Sequence, residues 1–137
     1  MIDICFEDIE QNELVNDSFL QSWFLTVIQR FDKEQGDITI VFCSDAYILE
    51  MNRSHLNHDY YTDIITFDYC EGDLVSGDLF ISLDTVLSNS IELGTSFTDE
   101  IHRVCVHGLL HLLGFKDKTD DDEREMRRQE DIMLSIR

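Results

Sequence analysis

Residues 107–117 read His-Gly-Leu-Leu-His-Leu-Leu-Gly-Phe-Lys-Asp. This stretch lies in and just after a predicted helix at residues 99–113, in which His107 and His111 stand four positions apart. Residues at this spacing share one face of a helix and lie about 6 Å apart along its axis. Both imidazoles can therefore reach one metal ion at the usual Zn–N distance of about 2.0–2.1 Å.

A third metal ligand is predicted just beyond this helix. Gly114 can take the left-handed conformation that ends a helix and reverses the chain. The reversal would bring Asp117 toward the open side of the His pair. The sequence therefore predicts a metal site formed by His107, His111 and Asp117. Three protein ligands leave a position for water, whose pKa a metal lowers toward about 7.

The same His spacing occurs in the H-E-x-x-H motif of zinc peptidases. In that motif the Glu after the first His is the general base, whereas this chain has Gly108 there. A peptidase mechanism therefore lacks its base. Because two His residues one turn apart also occur by chance, the metal hypothesis depends on Gly114 and Asp117 as well.

The rest of the chain predicts strands and helices that alternate. Gly36-Asp37 predicts a turn, and residues 71–76 predict a loop inside a hairpin. Strands are predicted at residues 2–6, 38–43, 62–69 and 77–83. Helices are predicted at residues 16–31, 44–56, 84–93, 99–113 and 119–134, with Asn, Ser, Thr or Asp caps. These elements predict one α/β (α+β) domain over residues 1–137, with a mixed, mostly parallel sheet of about four strands, an antiparallel edge hairpin and several packing helices.

The composition predicts a soluble, intracellular protein. The 137 residues include 10 Lys and Arg against 29 Asp and Glu, a formal charge of −19, but the 43% hydrophobic content argues against disorder. No run approaches the roughly 18 apolar residues of a membrane span, and Met1-Ile2-Asp3 lacks the start of a secretion signal. The four cysteines form no C-x-x-C pair and are predicted to be reduced core thiols.

Basic residues near the predicted metal site could meet a phosphate despite the acidic composition. Arg103, one turn before His107, could stabilise phosphate charge or pair with Asp99. Five further basic residues could form a local basic surface, or a salt-bridged helix face with Asp120 and Glu123. These five are Lys116, Lys118, Arg124, Arg127 and Arg128.

Three segments resemble motifs of the YbeY family, which are bacterial metal-dependent endoribonucleases of ribosomal RNA maturation. Residues 107–117 resemble the family signature H-G-x-L-H-L-x-G-[YF]-D-H, although Lys116-Asp117 stands where the family has Asp-His. Residues 62–67 resemble its T-[DN]-V-L-S-F strand, and residues 77–82 resemble its G-D-I-x-I-S strand. Order, spacing and length also agree, so the resemblance covers nearly the whole chain.

The resemblance implies a metal-dependent, single-strand-type endoribonuclease with a metal helix like that of the metzincins. It implies precursor ribosomal RNA as substrate, RNA and the ribosome or ribosomal proteins as partners, a cytoplasmic location and no membrane. On this basis the expected catalytic residues are His107, His111, Asp117 and Arg103, and the first three hold one divalent ion, with Zn²⁺ expected first. Because Asp replaces a ligand His, the site loses one unit of charge, and two His plus a carboxylate also suit Fe(II).

Several alternatives stay open at this point. The protein could be a metallohydrolase of another substrate class, such as peptides, or a non-catalytic ribosome-assembly factor with a structural metal. The family often has an Arg where Leu56 stands, and Arg53 could replace it or be a solvated surface residue. No role is assigned to His55, His58 or His102. The aromatic residues Tyr60, Tyr61, Phe67 and Tyr69 could stack on bases or belong to the core.

Overall fold

The computed structural model describes residues 1–55 and 62–137. The elements are β1 (Ile2–Phe6), α1 (Asp17–Arg30), β2 (Glu34–Cys43), α2 (Asp45–His55), β3 (Ile64–Asp68), β4 (Leu74–Ser82), α3 (Leu83–Leu93), α4 (Phe97–Leu112) and α5 (Asp120–Ser135). The strands form one sheet in the order β1-β2-β4-β3. The pairs β1–β2 and β2–β4 are parallel, and β3 pairs antiparallel with β4. The predicted α+β fold, with a mostly parallel sheet and an antiparallel edge hairpin, is therefore confirmed.

Short polar side chains begin the helices largely where the sequence predicts. The side chains of Asn16, Ser96 and Thr119 each accept a hydrogen bond from the backbone N–H three residues later. Such a cap satisfies a donor that has no partner inside the helix. Ser82, rather than Asp84, caps α3, so this helix begins one residue earlier than predicted.

Two predicted strand boundaries were wrong for a shared reason. β2 begins at Glu34, so Gly36-Asp37 lies inside the strand at a register shift rather than in a turn. The chain turns earlier, at Asp32, which has a φ of 56°. β4 begins at Leu74, inside the predicted loop at residues 71–76, because its first residues pair with the start of β2. The irregular pairing at Gly36 is a bulge that local turn propensity does not reveal.

The larger of two hydrophobic clusters among the described residues joins the sheet to α1, α4 and α5. Leu20, Phe24 and Ile28 of α1 and Leu109 and Leu110 of α4 are fully buried. The described part of the chain contains no helix long and apolar enough to cross a membrane.

Gly108 lets α4 lie close against the sheet. A Cβ atom at this position would stand 2.6 Å from Cδ1 of Ile64 and 2.9 Å from Cδ2 of Leu79. Both atoms are the ends of side chains in β3 and β4. A side chain at position 108 would therefore require Ile64 and Leu79 to shift. This close contact holds His107 and His111 beside the β3 edge of the sheet.

Some predictions about individual side chains need correction. All four cysteines are free thiols, but Cys5 is exposed, and only Cys43 and Cys105 are fully buried. Phe67 packs edge-on against Phe80, with ring centroids 5.8 Å apart, whereas Tyr69 is 59% exposed and is not a core residue. The predictions for Leu56, His58, Tyr60, Tyr61 and the side chain of His55 lie outside the described residues.

His102 belongs to the core between α1, α4 and the C-terminal residue. Its ring packs against Phe19 and Trp23, with centroid distances of 4.8 and 5.5 Å. Its Nδ1 accepts a hydrogen bond of 2.9 Å from Nη1 of Arg137. Burial first, and then the guanidinium charge of Arg137, lower the pKa of His102 from 6.5 to about 4. The ring is therefore neutral at pH 7 in the folded protein.

The low pKa of His102 should make stability fall in mild acid. Between pH 6.5 and pH 4 the unfolded chain binds a proton at this residue and the folded chain does not, so the free energy of unfolding decreases as the pH falls. In His102→Asn an amide oxygen can replace Nδ1 as the acceptor for Arg137, and the side chain at position 102 no longer titrates. Between pH 7 and pH 5 we expect the variant to lose about 1–2 kcal/mol less stability than the wild type.

Urea unfolding of both metal-free proteins at pH 7 and pH 5 measures this difference. The carboxylates are the same in both proteins, so their titration cancels in the comparison. If both proteins lose the same free energy of unfolding between pH 7 and pH 5, the assignment of a neutral, buried His102 is contradicted.

Candidate metal centre

The structure brings the three residues predicted as metal ligands into one cluster. Nε2 of His107 lies 3.0 Å from Nε2 of His111. Oδ2 of Asp117 lies 3.4 Å from Nε2 of His107 and 3.3 Å from Nε2 of His111. One ligand atom from each residue lies within 4.8 Å of the other two.

The turn after α4 brings Asp117 to the His pair. Gly114 has a φ of 102°, a left-handed conformation that glycine adopts without strain. The N–H of Gly114 bonds to the carbonyl of His111, and the N–H of Phe115 bonds to the carbonyl of Leu110, both at 3.0 Å. This pair of bonds is the Schellman motif, which ends a helix and sends the chain back along it.

Hydrogen bonds at the outer nitrogens set the orientation of both imidazoles. Nδ1 of His107 donates to Oε2 of Glu130 at 2.7 Å, and Nδ1 of His111 donates to the carbonyl oxygen of Phe115 at 2.9 Å. A carboxylate and a carbonyl can only accept, so each ring carries its proton on Nδ1. Both Nε2 atoms then present lone pairs to the centre of the cluster, with the carboxylate of Asp117 beside them.

This set of atoms fits a divalent metal ion. Two Nε2 lone pairs and a carboxylate oxygen face one another at 3.0–3.4 Å, an arrangement of acceptors that a cation stabilises. Ligand atoms about 2.0–2.1 Å from a tetrahedral Zn²⁺ are separated by about 3.3 Å. The Nδ1 partners are also those that metal-binding His residues usually have.

Glu130 joins His107 to Arg103 behind the cluster. Oε1 of Glu130 accepts from Nη1 of Arg103 at 2.9 Å, and Nη2 of Arg103 donates to Asp131 at 2.9 Å. The predicted partner Asp99 was wrong, because it pairs with Arg137 instead.

The contact between His107 and Glu130 shifts the pKa values of both side chains. Burial opposes ionisation of His107, but the hydrogen bond and charge of Glu130 outweigh it and raise the pKa of His107. Burial likewise raises the pKa of Glu130, but hydrogen bonds from His107 and Arg103 lower it overall. The contacts therefore favour the ionised form of Glu130.

Sequence reasoning missed Glu130, although α5 carries a signal. Buried residues of this helix include Met126, Glu130 and Met133, which share one face. A carboxylate in an apolar stripe usually has a buried partner. The position signals a buried interaction, but the partner can be identified only after α5 packs on α4.

The predicted ion pairs of the basic residues in α5 were also wrong in detail. Arg124 pairs with Asp121 rather than with the predicted Asp120, and Arg127 was predicted to pair with Glu123. Arg128, for which no partner was predicted, pairs with Glu125. Arg127 stands 3.7 Å from Glu130. These three arginines thus form a salt-bridged helix face, which is one of the two predicted alternatives.

The cluster opens into two cavities. One, of about 410 Å³, lies between α3, α4 and α5 and is lined by His107, Asp117 and Arg103 among others. The other, of about 680 Å³, runs along β3 and is lined by His107, His111 and Asp117 among others. His107 and Asp117 therefore border both cavities, and His111 borders the one along β3.

Two His and one Asp beside open cavities form the type of candidate metal site that metal-dependent hydrolases use. The chain belongs to the YbeY family, because residues 6–136 match the family model described as Endoribonuclease YbeY. The family that the motifs predicted is confirmed, and with it the predicted enzyme class, a hydrolase that cleaves RNA.

Known relatives agree along most of the chain. A protein of Parabacteroides distasonis named Endoribonuclease YbeY is 48% identical over 130 residues, which cover 95% of this chain and 91% of that protein. One of Bacteroides thetaiotaomicron with the same name is 51% identical over 115 residues, or 84% of each chain. A solution structure from Thermotoga maritima has a TM-score of 0.72 and 25% identity and covers 98% of this chain and 87% of that chain.

Glu130→Gln should weaken metal binding through His107. The amide can still accept from Nδ1, but it lacks the negative charge that makes the imidazole a better ligand. We expect the Kd for Zn²⁺ to rise about 10–100-fold, the usual cost of losing such a partner. Competition with a chromophoric chelator measures it. Glu125→Gln, on the same helix, is the control, and equal Kd values for the two variants would contradict the prediction.

Proposed function

We propose that this protein is a metal-dependent endoribonuclease of ribosomal RNA maturation in which His107, His111 and Asp117 hold one divalent ion. The convergence of their three acceptor atoms within 4.8 Å carries the proposal. Membership of the family supports RNA as the substrate. The family resemblance supports precursor ribosomal RNA, work at the ribosome and a cytoplasmic location.

Zn²⁺ is the ion we propose first. Two imidazole nitrogens and one carboxylate oxygen form a donor set that catalytic zinc sites use, with a further position left for substrate or water. The same donor types suit Fe(II), so the bound element has to be measured. An ion held there would supply Lewis acidity, which activates water and polarises a phosphodiester.

The protein's own part in the reaction is to hold the ion's ligands and to position the RNA. Glu130 and the carbonyl of Phe115 hold the two rings with Nε2 inward. Asp117 lies on the turn after α4, with its side chain 44% exposed, so it faces the path of a substrate. No side chain is proposed as general base.

Arg103 is the proposed residue for stabilising negative charge on the phosphate. It lines the same cavity as His107 and lies one helical turn away from it. Two of its N–H groups bond to Glu130 and Asp131, and a guanidinium has five such donors. The remaining donors can bind phosphate while the two ion pairs hold the side chain in place.

The two rival functions have less support. A peptidase of the H-E-x-x-H type uses the Glu after the first His as its general base, and this chain has Gly108 at that position. A purely structural metal is usually enclosed by four protein ligands, whereas the described residues bring three candidate ligands together, and these border two cavities.

His111→Ala and Asp117→Ala test the ligand set. Each should lower bound metal from one ion per chain to well below that, and abolish cleavage of precursor ribosomal RNA. Elemental analysis and a gel assay measure the two effects. Asp121→Ala, an exposed acidic residue of α5, should change neither.

Other outcomes would overturn parts of the proposal. Full metal occupancy in Asp117→Ala would remove that residue from the ligand set. If wild-type protein with bound metal cleaves peptides but no RNA, the endoribonuclease proposal fails.

Arg103→Gln tests the role in stabilising phosphate charge. We expect kcat for RNA cleavage to fall about 10²-fold, as when one charge-stabilising donor is lost, with metal content unchanged. Arg137→Gln is the control, because it removes an ion pair with Asp99 of α4 from a residue that does not line the cavity of His107. If both variants lose kcat equally, Arg103 acts only through protein stability.

A further inference from the structure

The cavity between α3, α4 and α5 has a mixed lining that the metal centre does not explain. Its volume is about 410 Å³, and it borders His107 and Asp117. Part of its wall is apolar and consists of Leu93, Val104 and Met126. Cavities of about 300–1,000 Å³ with apolar walls and a few polar groups are typical ligand sites.

Glu100 is the unusual polar group of this cavity. The residue is only 5% exposed, and its carboxylate makes no hydrogen bond to any residue in 1–55 or 62–137. Burial raises the pKa of Glu100, although the nearby charge of Arg103 opposes the change. The same carboxylate also borders a smaller cavity of about 240 Å³. No buried side-chain oxygen or nitrogen of the described residues lacks a hydrogen-bond partner, so the unbonded oxygens of Glu100 open onto the cavity, where a ligand can reach them.

The charge of the lining indicates which ligand fits. Asp63, Glu100 and Glu123 also line the cavity, together with Arg103 and Arg127, which both stand beside Glu130. The carboxylates repel a phosphate in contact with their own oxygens. They attract a neutral group that presents N–H donors. The apolar wall suits the flat face of an aromatic ring. An unstacked nucleobase combines both properties, and single-stranded RNA is read through such bases.

We propose that this cavity binds an unstacked guanine of the RNA, with the carboxylate of Glu100 accepting its N1–H and N2–H groups. The inference rests on the proposed endoribonuclease function. Guanine is the base with two adjacent donors on its Watson–Crick edge, and a carboxylate offers two acceptors side by side. Adenine and cytosine present one donor next to an acceptor, so one oxygen would face a lone pair.

The position of the cavity connects base recognition to cleavage. Because the cavity borders His107 and Asp117, a guanine held there places an adjoining phosphodiester at the metal centre. The protein should therefore cleave beside guanine in single-stranded RNA.

Binding of short RNAs to the metal-free protein tests the pocket without cleavage. The probes are five-nucleotide RNAs of adenosine with a central guanosine, inosine or adenosine, and fluorescence anisotropy measures Kd at pH 8. Inosine lacks only the N2 amino group. We expect wild type to bind the guanosine probe about tenfold more tightly than the other two, as for a bidentate base contact.

Two variants distinguish the contact between Glu100 and guanine from a general effect of the negative charge in the cavity. Glu100→Gln keeps the shape of the side chain but places an NH₂ against one donor, so the preference for guanosine over inosine should disappear. Glu123→Gln removes an exposed carboxylate from the same cavity and should keep the preference. Thermal unfolding of both variants checks that they are folded.

The outcomes distinguish this inference from the proposed function. Equal binding of the three probes by wild type overturns the guanine pocket, as does a preference that Glu100→Gln retains. If wild type with metal still cleaves RNA without base preference, the endoribonuclease proposal stands alone. If wild type prefers guanosine but cleaves no RNA, the pocket stands and the proposed function fails.

Discussion

The Nε2 atoms of His107 and His111 lie 3.0 Å apart, and both present lone pairs to the centre of the cluster. Such an arrangement persists only if each ring is fixed from behind. Glu130 of α5 fixes one ring, and the turn carbonyl of Phe115 fixes the other. The cluster is therefore a product of α4, its terminating turn and α5 together, with the sheet setting the position of α4.

Much of the fold could be predicted because its signals are local. The apolar spacing of α1 and the polar caps at Asn16, Ser96 and Thr119 act within a few residues of themselves. The starts of β2 and β4 could not be predicted, because each depends on pairing with a strand about 40 residues away. A Gly-Asp pair that would form a turn in isolation is held there as a bulge.

The candidate site also contains a part that could be predicted from local sequence and a part that could not. His107, His111 and Asp117 lie within one helix and its following turn, so their proximity follows from helix and turn geometry. The ion-pair partner of Arg103 does not follow from local geometry, because Asp99 on the same helix and Glu130 on another helix are both within reach of this long side chain. Packing of α5 decides between them, and no local pattern encodes that packing.

The double role of Glu130 couples metal occupancy to the docking of a helix that supplies no proposed ligand. Because the carboxylate holds His107 only while α5 is packed on α4, whatever stabilises the His107 ring in place also stabilises the docked helix. The indole N–H of Trp23 donates to the carbonyl of Met133 at 3.0 Å, which extends the coupling to α1. Chelation would thus speed amide hydrogen exchange along α5, far from the atoms that the chelator removes.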